Sequence, residues 1–299
     1  MFSFFFSPEV CMSVPITGHT RLGGLLGSPV AHSISPMMHN DSFAFHKLDY
    51  VYLCFDIRED KLGTTIRALR DMNTYGFNLT MPDKTAVMGY LDEISVEARL
   101  IGAVNTVKNQ DGKLIGFNTD GAGYMRAAAD FGVDVTGREL TLIGAGGAAN
   151  AIAVQSALDG AAFIHLVSRR GRSWDRARSL VDRINENTGC QAELIDLEDS
   201  ICLKSALERS VLLTNATSAG MAPETDVTPL KDTSLLYPEL FVSDVIYNPR
   251  KTRFLREAQE AGCRTFNGLY MLLYQGEKAF NIWTGLDMPV QMIRERYFS

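Results

Sequence analysis

Cysteine, long apolar runs and clustered positive charge are all scarce in this chain of 299 residues. Five cysteines stand at positions 11, 54, 190, 202 and 263, an odd count with no C-x-x-C pair. That excludes a disulfide framework and fits small, mostly buried, reduced thiols of a cytoplasmic protein. No stretch approaches the ~20 apolar residues that span a bilayer, so no membrane partner is expected. The start, Met1-Phe2-Ser3-Phe4-Phe5-Phe6, is apolar but short, lacks a basic flank and is broken by Pro8 and Glu9. It reads as part of a loose extension over residues 1–17, not as a signal peptide. The net charge is -6 with no long run of Lys or Arg, which argues against a nucleic-acid partner. The H-E-x-x-H, P-loop and G-x-S-x-G motifs are missing too. His32, His39 and His46 recur every seven residues. Seven helical positions span about 10.5 Å, too far for one metal ion.

What is present is an ordinary globular composition, with 46% hydrophobic and 21% charged residues, in a chain long enough for two cores. Short apolar runs bounded by Gly, Pro and Asn alternate with longer helical patterns. The first series predicts strands at Arg21–Leu26, Tyr50–Phe55, Gly76–Leu79 and Gly102–Val107. Helices are predicted at Pro36–His46, Asp60–Asp71 and Lys84–Tyr90. Asn109-Gln110-Asp111-Gly112 predicts a hairpin turn into a return strand, Lys113–Phe117. The second series predicts strands at Leu140–Ile143, Phe163–Val167, Ala192–Ile195, Val211–Asn215 and Leu240–Val245. Helices follow at Ala148–Leu158, Trp174–Asn187 and Leu203–Glu208. Such alternation implies parallel strands joined by crossover helices. After Asn267-Gly268 only helix is predicted, at Leu269–Trp283 and from about Val290. The acidic pairs Asp92-Glu93 and Glu198-Asp199 read as solvated charges at helix starts.

Gly144-Ala145-Gly146-Gly147-Ala148-Ala149 follows a strand and opens a helix. Gly144 permits the tight turn, Gly146 lets the backbone approach a pyrophosphate, and small Ala149 allows close helix–strand packing. The helix N-terminus then offers N–H groups to phosphate. The same pattern also fits an ordinary strand–helix turn. At the end of the next strand stand Ser168, Arg169 and Arg170, with no carboxylate up to Ser173. An acidic residue there would serve the ribose 2′-hydroxyl of NAD, whereas Arg serves the 2′-phosphate of NADP. Two arginines in a solvated loop are the plainer alternative.

Further polar segments lie at predicted strand ends, where α/β proteins place ligand groups. By composition alone they are polar loops. Together, and in order, they are Ser33-Ile34-Ser35-Pro36, Asn78-Leu79-Thr80-Met81-Pro82-Asp83-Lys84, Gly102-Ala103-Val104-Asn105-Thr106 and Asn118-Thr119-Asp120-Gly121. Asn215-Ala216-Thr217-Ser218-Ala219-Gly220 and Gly268-Leu269-Tyr270-Met271-Leu272-Leu273-Tyr274-Gln275-Gly276 follow. This series resembles the shikimate dehydrogenase family from about Leu22 to Pro289. Ser234–Pro238, Tyr247-Asn248-Pro249 and Ile282-Trp283-Thr284-Gly285 resemble its quinate/shikimate dehydrogenase branch.

The resemblance implies an α/β fold with a substrate domain over residues 1–119 and a Rossmann-type nucleotide domain over 120–266. C-terminal helices, residues 267–299, return to the substrate domain. It implies Lys84 and Asp120 as the catalytic pair. Ser33 and Ser35 would hold the substrate carboxylate, with Asn78, Thr80, Asn105, Tyr247 and Gln275 around the ring. Gly144, Ala145, Gly146, Gly147, Ala148, Ser168, Arg169, Arg170, Thr217, Gly268 and Met271 would hold the cofactor, NADP preferred and NAD possible. The implied protein is a cytoplasmic enzyme of the shikimate pathway, which feeds chorismate and aromatic amino-acid synthesis, and is a monomer or homodimer. The family's common NADP form has Asn-Arg-[Ser/Thr] where Ser168-Arg169-Arg170 stands, and the quinate branch often has Asp where Gly171 stands. A non-catalytic quinate or shikimate sensor of the same fold is the alternative. A third class, a two-domain dehydrogenase for an amino acid or folate, fits Ser33 with Ser35 and Asn105 with Asp120 poorly.

Overall fold

The computed structural model describes residues 15–298. Most of the expected extension, with Cys11, lies outside the described residues. The chain builds two six-stranded sheets. The first holds β1 (Arg21–Gly27), β2 (Tyr50–Asp56), β3 (Gly76–Leu79), β4 (Glu93–Ile94), β5 (Thr106–Gln110) and β6 (Lys113–Phe117). Its order is β2-β1-β3-β5-β6-β4. β1 runs parallel to β2 and β3, while β5 is antiparallel to both β3 and β6. The turn between β5 and β6 is the expected hairpin, with Asp111 and Gly112 both at positive φ. Helices α1 (Ser35–Phe45), α2 (Leu62–Asp71) and α3 (Val96–Ile101) belong to this half.

Helix α4 (Asp120–Asp130) leads into the second half. There β7 (Glu139–Ile143), α5 (Gly147–Leu158), β8 (Phe163–Ser168), α6 (Trp174–Asn187), β9 (Gln191–Asp196), α7 (Ser200–Arg209) and β10 (Ser210–Asn215) alternate. They are followed by β11 (Phe241–Asp244), α8 (Arg253–Glu260) and β12 (Arg264–Asn267). All pairs in this sheet are parallel, in the order β12-β11-β10-β7-β8-β9. That is the 3-2-1-4-5-6 order of a dinucleotide fold read from its other edge, with its switch point between β7 and β10. Burial on both faces explains the near-continuous apolar run of β7, whose Leu140–Ile143 are all buried.

The last two helices, α9 (Leu269–Thr284) and α10 (Val290–Tyr297), leave the second sheet and pack on the first. Leu273, Gly276, Phe280 and Trp283 recur at helical spacing on the buried side of α9. Leu273, Phe280 and Trp283 join Phe43, Tyr52 and Tyr75 in one core, which Ile293 and Phe298 extend. The opposite face of that sheet is covered by Leu62, Ile66 and Leu69 of α2.

Three expectations need correction. The strand expected at Gly102–Val107 begins only at Thr106, because Gly102 takes a left-handed φ of 79° and caps α3, a helix that the sequence patterns did not reveal. The helix expected at Lys84–Tyr90 is a turn at Lys84 followed by a short 3-10 helix, Ala86–Tyr90. Asp92 and Glu93 start no helix: Asp92 accepts from Leu114 N and pairs with Arg70, and Glu93 pairs with Lys113. Asp199 does cap a helix, accepting from Cys202 N at 3.0 Å at the start of α7. Among the described residues no helix is long and apolar enough to cross a membrane.

Candidate active site

The C-terminal ends of β1 and β3, with the N-terminal end of antiparallel β5, open into a cavity of about 520 Å³. Its walls bring together Ser33, Ser35, Asn78, Thr80, Lys84, Asn105, Asp120, Tyr247 and Gln275. These are all of the residues that the sequence assigns to substrate and proton transfer. They arrive on several separate elements. Asn78 lies near the end of β3, and the turn that follows carries Thr80 and Lys84. Asp120 is the first residue of α4, where a carboxylate is favoured by the helix dipole.

Lys84 Nζ donates to Asp120 Oδ2 at 2.6 Å, with both side chains largely shielded. The other carboxylate oxygen accepts from Asn105 Nδ2 at 2.8 Å. Asp120 N in turn donates to Asn118 Oδ1 at 3.1 Å. The carboxylate is thus held from two sides, and it aims the lysine into the cavity. Ser33 and Ser35 flank the start of α1, a helix with no side-chain cap. Ser35 N donates to Ser33 Oγ at 3.2 Å. Two hydroxyls supply only two hydrogens, and α1 opens with few free donors, because Ser35 N is given to Ser33 Oγ, Pro36 has no N–H and Met38 N donates to Ile34 O.

A second cavity, about 500 Å³, opens at the ends of β7, β8 and β10. Gly144, Ala145, Gly146, Ser168, Arg169 and Thr217 line it. Gly144 sits at φ 123°, which suits only glycine, and its backbone passes against Ala216. A Cβ at Gly146 or Gly147 would meet nothing within 4 Å. The turn therefore leaves an open backbone cradle before the uncapped N-terminus of α5, which fits a pyrophosphate. Three of the expected cofactor residues, Ala148, Gly268 and Met271, line the first cavity instead. The glycine-rich turn consequently stands between the two cavities and belongs to both.

Two arginines part company here. Arg170 Nε pairs with Asp196 Oδ2 at 2.6 Å, and its guanidinium lies 4.9 Å from the Trp174 ring centroid. Arg169 lines the cavity and is joined there by Arg176 and Ser173, neither of which the sequence singled out. Arg176 stands in the first turn of α6, where a cation opposes the helix dipole. That misplaced charge was the available signal, because a bound anion would reconcile it. His32 lines the first cavity, His39 is fully buried and His46 contacts Asp287 O. Among the described residues no group of three or more His, Cys, Asp or Glu could hold a metal ion.

Comparison with known proteins gives the family. The profile "Shikimate dehydrogenase substrate binding domain" matches residues 25–107. The profile "Shikimate 5′-dehydrogenase C-terminal domain" matches residues 268–296. The shikimate dehydrogenase (NADP(+)) of Listeria monocytogenes is 50% identical over 283 residues, 95% of this chain and 97% of that protein. A crystal structure of shikimate 5-dehydrogenase from Listeria monocytogenes, with shikimate and NAD, superposes with a TM-score of 0.91 at 50% identity. It covers 94% of this chain and 97% of its own. Quinate dehydrogenase from Corynebacterium glutamicum, in complex with NAD, superposes at 0.83 with 30% identity, covering 93% of this chain and 99% of its own. With half its residues shared across nearly its whole length and the same two-sheet architecture, the chain belongs to the shikimate dehydrogenase family.

Proposed function

We propose that this chain interconverts shikimate and 3-dehydroshikimate with NADP(H), and also accepts quinate. The observation that carries the reading is the 2.6 Å contact of Lys84 with Asp120, set in a cavity whose other polar walls suit a carboxylate and ring hydroxyls. Oxidation moves a hydride from the carbinol carbon and a proton from its hydroxyl. Nicotinamide, when bound, supplies the hydride acceptor. Lys84 takes the hydroxyl proton in that direction and returns it in the reduction. Asp120 orients both the amine and the reacting hydroxyl. General acid–base help of this kind is worth typically ~10²–10⁴-fold. Ser33 and Ser35 hold the carboxylate, so the ring is anchored at the end away from the reacting carbon. A sensor would not need the assembled Lys84–Asp120 pair, so catalysis is favoured over sensing.

NADP preference rests on Arg169 and Arg176 in the second cavity, with Ser168 and Ser173 beside them. Arg170, bound to Asp196, is left as a support for the loop. The Listeria relative is named for NADP and its solved counterpart holds NAD, consistent with a site in which the 2′-phosphate adds affinity without being required. The domain limits proposed are 1–119, 120–266 and 267–299, in a cytoplasmic enzyme. The test is steady-state kinetics with shikimate and quinate against NADP and NAD, repeated for Lys84→Ala. Shikimate with NADP should give the highest kcat/KM, and the variant should lose kcat by at least about a hundredfold. A variant with near-wild-type kcat at saturating substrate would remove Lys84 from the chemistry.

A further inference from the structure

Beneath the cavity floor lies a line of hydrogen bonds that includes two residues lining neither cavity, Tyr52 and Thr106. Its sense is fixed at one end. The Asp120 carboxylate only accepts, so Asn105 must turn its NH₂ toward it, at 2.8 Å. The Asn105 carbonyl oxygen then faces the other way. It accepts from the Thr106 hydroxyl at 2.9 Å and from Thr119 N at 2.9 Å. Having given its only hydrogen, Thr106 Oγ1 must accept, and Asn78 Nδ2 donates to it at 2.9 Å. The same NH₂ donates to Asn105 O at 3.1 Å. Asn78 Oδ1 is thereby turned to Tyr52, whose hydroxyl donates to it at 2.7 Å.

We infer that Tyr52 and Thr106 are positioning residues, which lock the amides of Asn78 and Asn105 in one orientation and through Asn105 hold the Asp120–Lys84 pair. Both are fully buried, and Asn78 and Asn105 nearly so. A flipped amide would set donor against donor or acceptor against acceptor, a mismatch that water cannot relieve in a buried site. The tyrosine ring is itself wedged, with the His39 ring 4.6 Å away and Trp283 at 5.9 Å. Burial keeps the Tyr52 phenol well above its ordinary pKa, although the nearby Ser35 hydroxyl pulls the other way, so it remains a donor. Burial also drives the His39 imidazole down to about 3, leaving a neutral ring beside it. Trp283 is pinned in turn by its indole N–H, which donates to Val107 O at 3.0 Å.

The inference rests on Lys84 and Asp120 as the acid–base pair, and the experiment separates the two. The full-length enzyme and its Thr106→Val, Thr106→Ser, Tyr52→Phe and Lys84→Ala variants are compared by kcat, by KM for shikimate and NADP, and by Tm. Thr106→Val should lower kcat about tenfold or more while leaving KM for NADP within about twofold. Thr106→Ser, which keeps the hydroxyl, should recover most of the rate. Tyr52→Phe should lower kcat, and its loss should not multiply with that of Thr106→Val, since both cut one line. A Thr106→Val enzyme with kcat within about twofold of wild type overturns the inference. So does a Thr106→Ser enzyme as slow as the valine variant, which would mark a packing effect, or independent, multiplying losses. If Thr106→Val does not fold, Tyr52→Phe decides alone: unchanged kcat and KM for shikimate overturn the role. Lys84→Ala with near-wild-type kcat fells the acid–base reading and this inference together, whereas a dead Lys84→Ala beside an intact Thr106→Val fells only the inference.

Discussion

Single side chains divide the labour of this site in ways that kinetics can separate. In the proposed reading Ser33 and Ser35 hold the end of the substrate that does not react. Replacing both with Ala should raise KM for shikimate and quinate, while an analogue lacking the carboxylate should be turned over almost as before. Equal losses on both kinds of substrate would show that the serines only shape the loop. Arg169 and Arg176 face the second cavity, and Arg170 does not. Each hydrogen bond to a charged group contributes roughly 1.5–3 kcal/mol, so Arg169→Ala and Arg176→Ala should each cut kcat/KM for NADP by about one to two decades and leave NAD nearly unchanged. Arg170→Ala should spare the choice of cofactor; selective loss of NADP in that variant alone would reverse the assignment. Asp244 makes a pH prediction. It is fully buried at the end of β11, and it accepts from Ile246 N, Asn215 Nδ2 and Thr252 Oγ1. Burial outweighs those bonds and raises its carboxyl from 3.8 to about 6. The folded state thus binds this proton more tightly than the unfolded chain. Its contribution to stability is complete below about pH 4 and is lost as pH rises through about 6, at most about 3 kcal/mol. In urea titrations, wild type should gain on Asp244→Asn as pH falls from 7 to about 4.5; a constant difference across that range would refute the shift.

At the scale of elements, α4 is the piece on which the site turns. It begins with Asp120 and packs by glycine contacts against one helix from each side. A Cβ on Gly121 would lie 2.3 Å from Ala151 O of α5, and one on Gly123 would lie 2.5 Å from Gln275 N of α9. Gly123→Ala must therefore push α9 away, and overpacking of this kind costs about 1–3 kcal/mol. Because Gln275 lines the first cavity, the proposed substrate site, the variant should show both a lower Tm and a higher KM for shikimate. An unchanged Tm would mean that the helices adjust without strain. Five strands of the second sheet were legible in the sequence, since those in its middle are buried on both faces and largely apolar and the glycine turn marks where β7 meets α5; the sixth, β12, was not, because Arg264-Thr265-Phe266-Asn267 at the sheet edge carries one buried apolar residue. Helix α3 was not, since six residues carry too little periodicity. Nor was α8, where Phe254, Leu255 and Ala258 are the buried positions in a highly charged eight-residue segment. Site residues at strand ends, such as Asn78 and Asp120, read as polar loops by composition, and only the resemblance to a family gave them roles. Tyr52 and Thr106 lie inside strands, where a hydroxyl is indistinguishable from the alternation of an ordinary sheet, and only the folded contacts reveal their partners.

Across the whole molecule, the first sheet is completed by the last residues of the chain. Phe280, Trp283, Ile293 and Phe298 share a core with Phe43, Tyr52 and Tyr75, whereas the second sheet, with its helices α5 to α8, is contiguous. A protein leaving the ribosome thus makes its substrate half first and closes it last. Through most of synthesis the aromatic face of that half must wait uncovered while the nucleotide half behind it can already fold, since domains generally fold as units once they emerge. A stop codon after Asn267 should then leave a chain whose parallel sheet resists proteolysis while its first hundred residues are cut readily. Nascent chains of the full length should become dependent on chaperones in the same interval, with release from them coming only as α9 and α10 clear the exit tunnel.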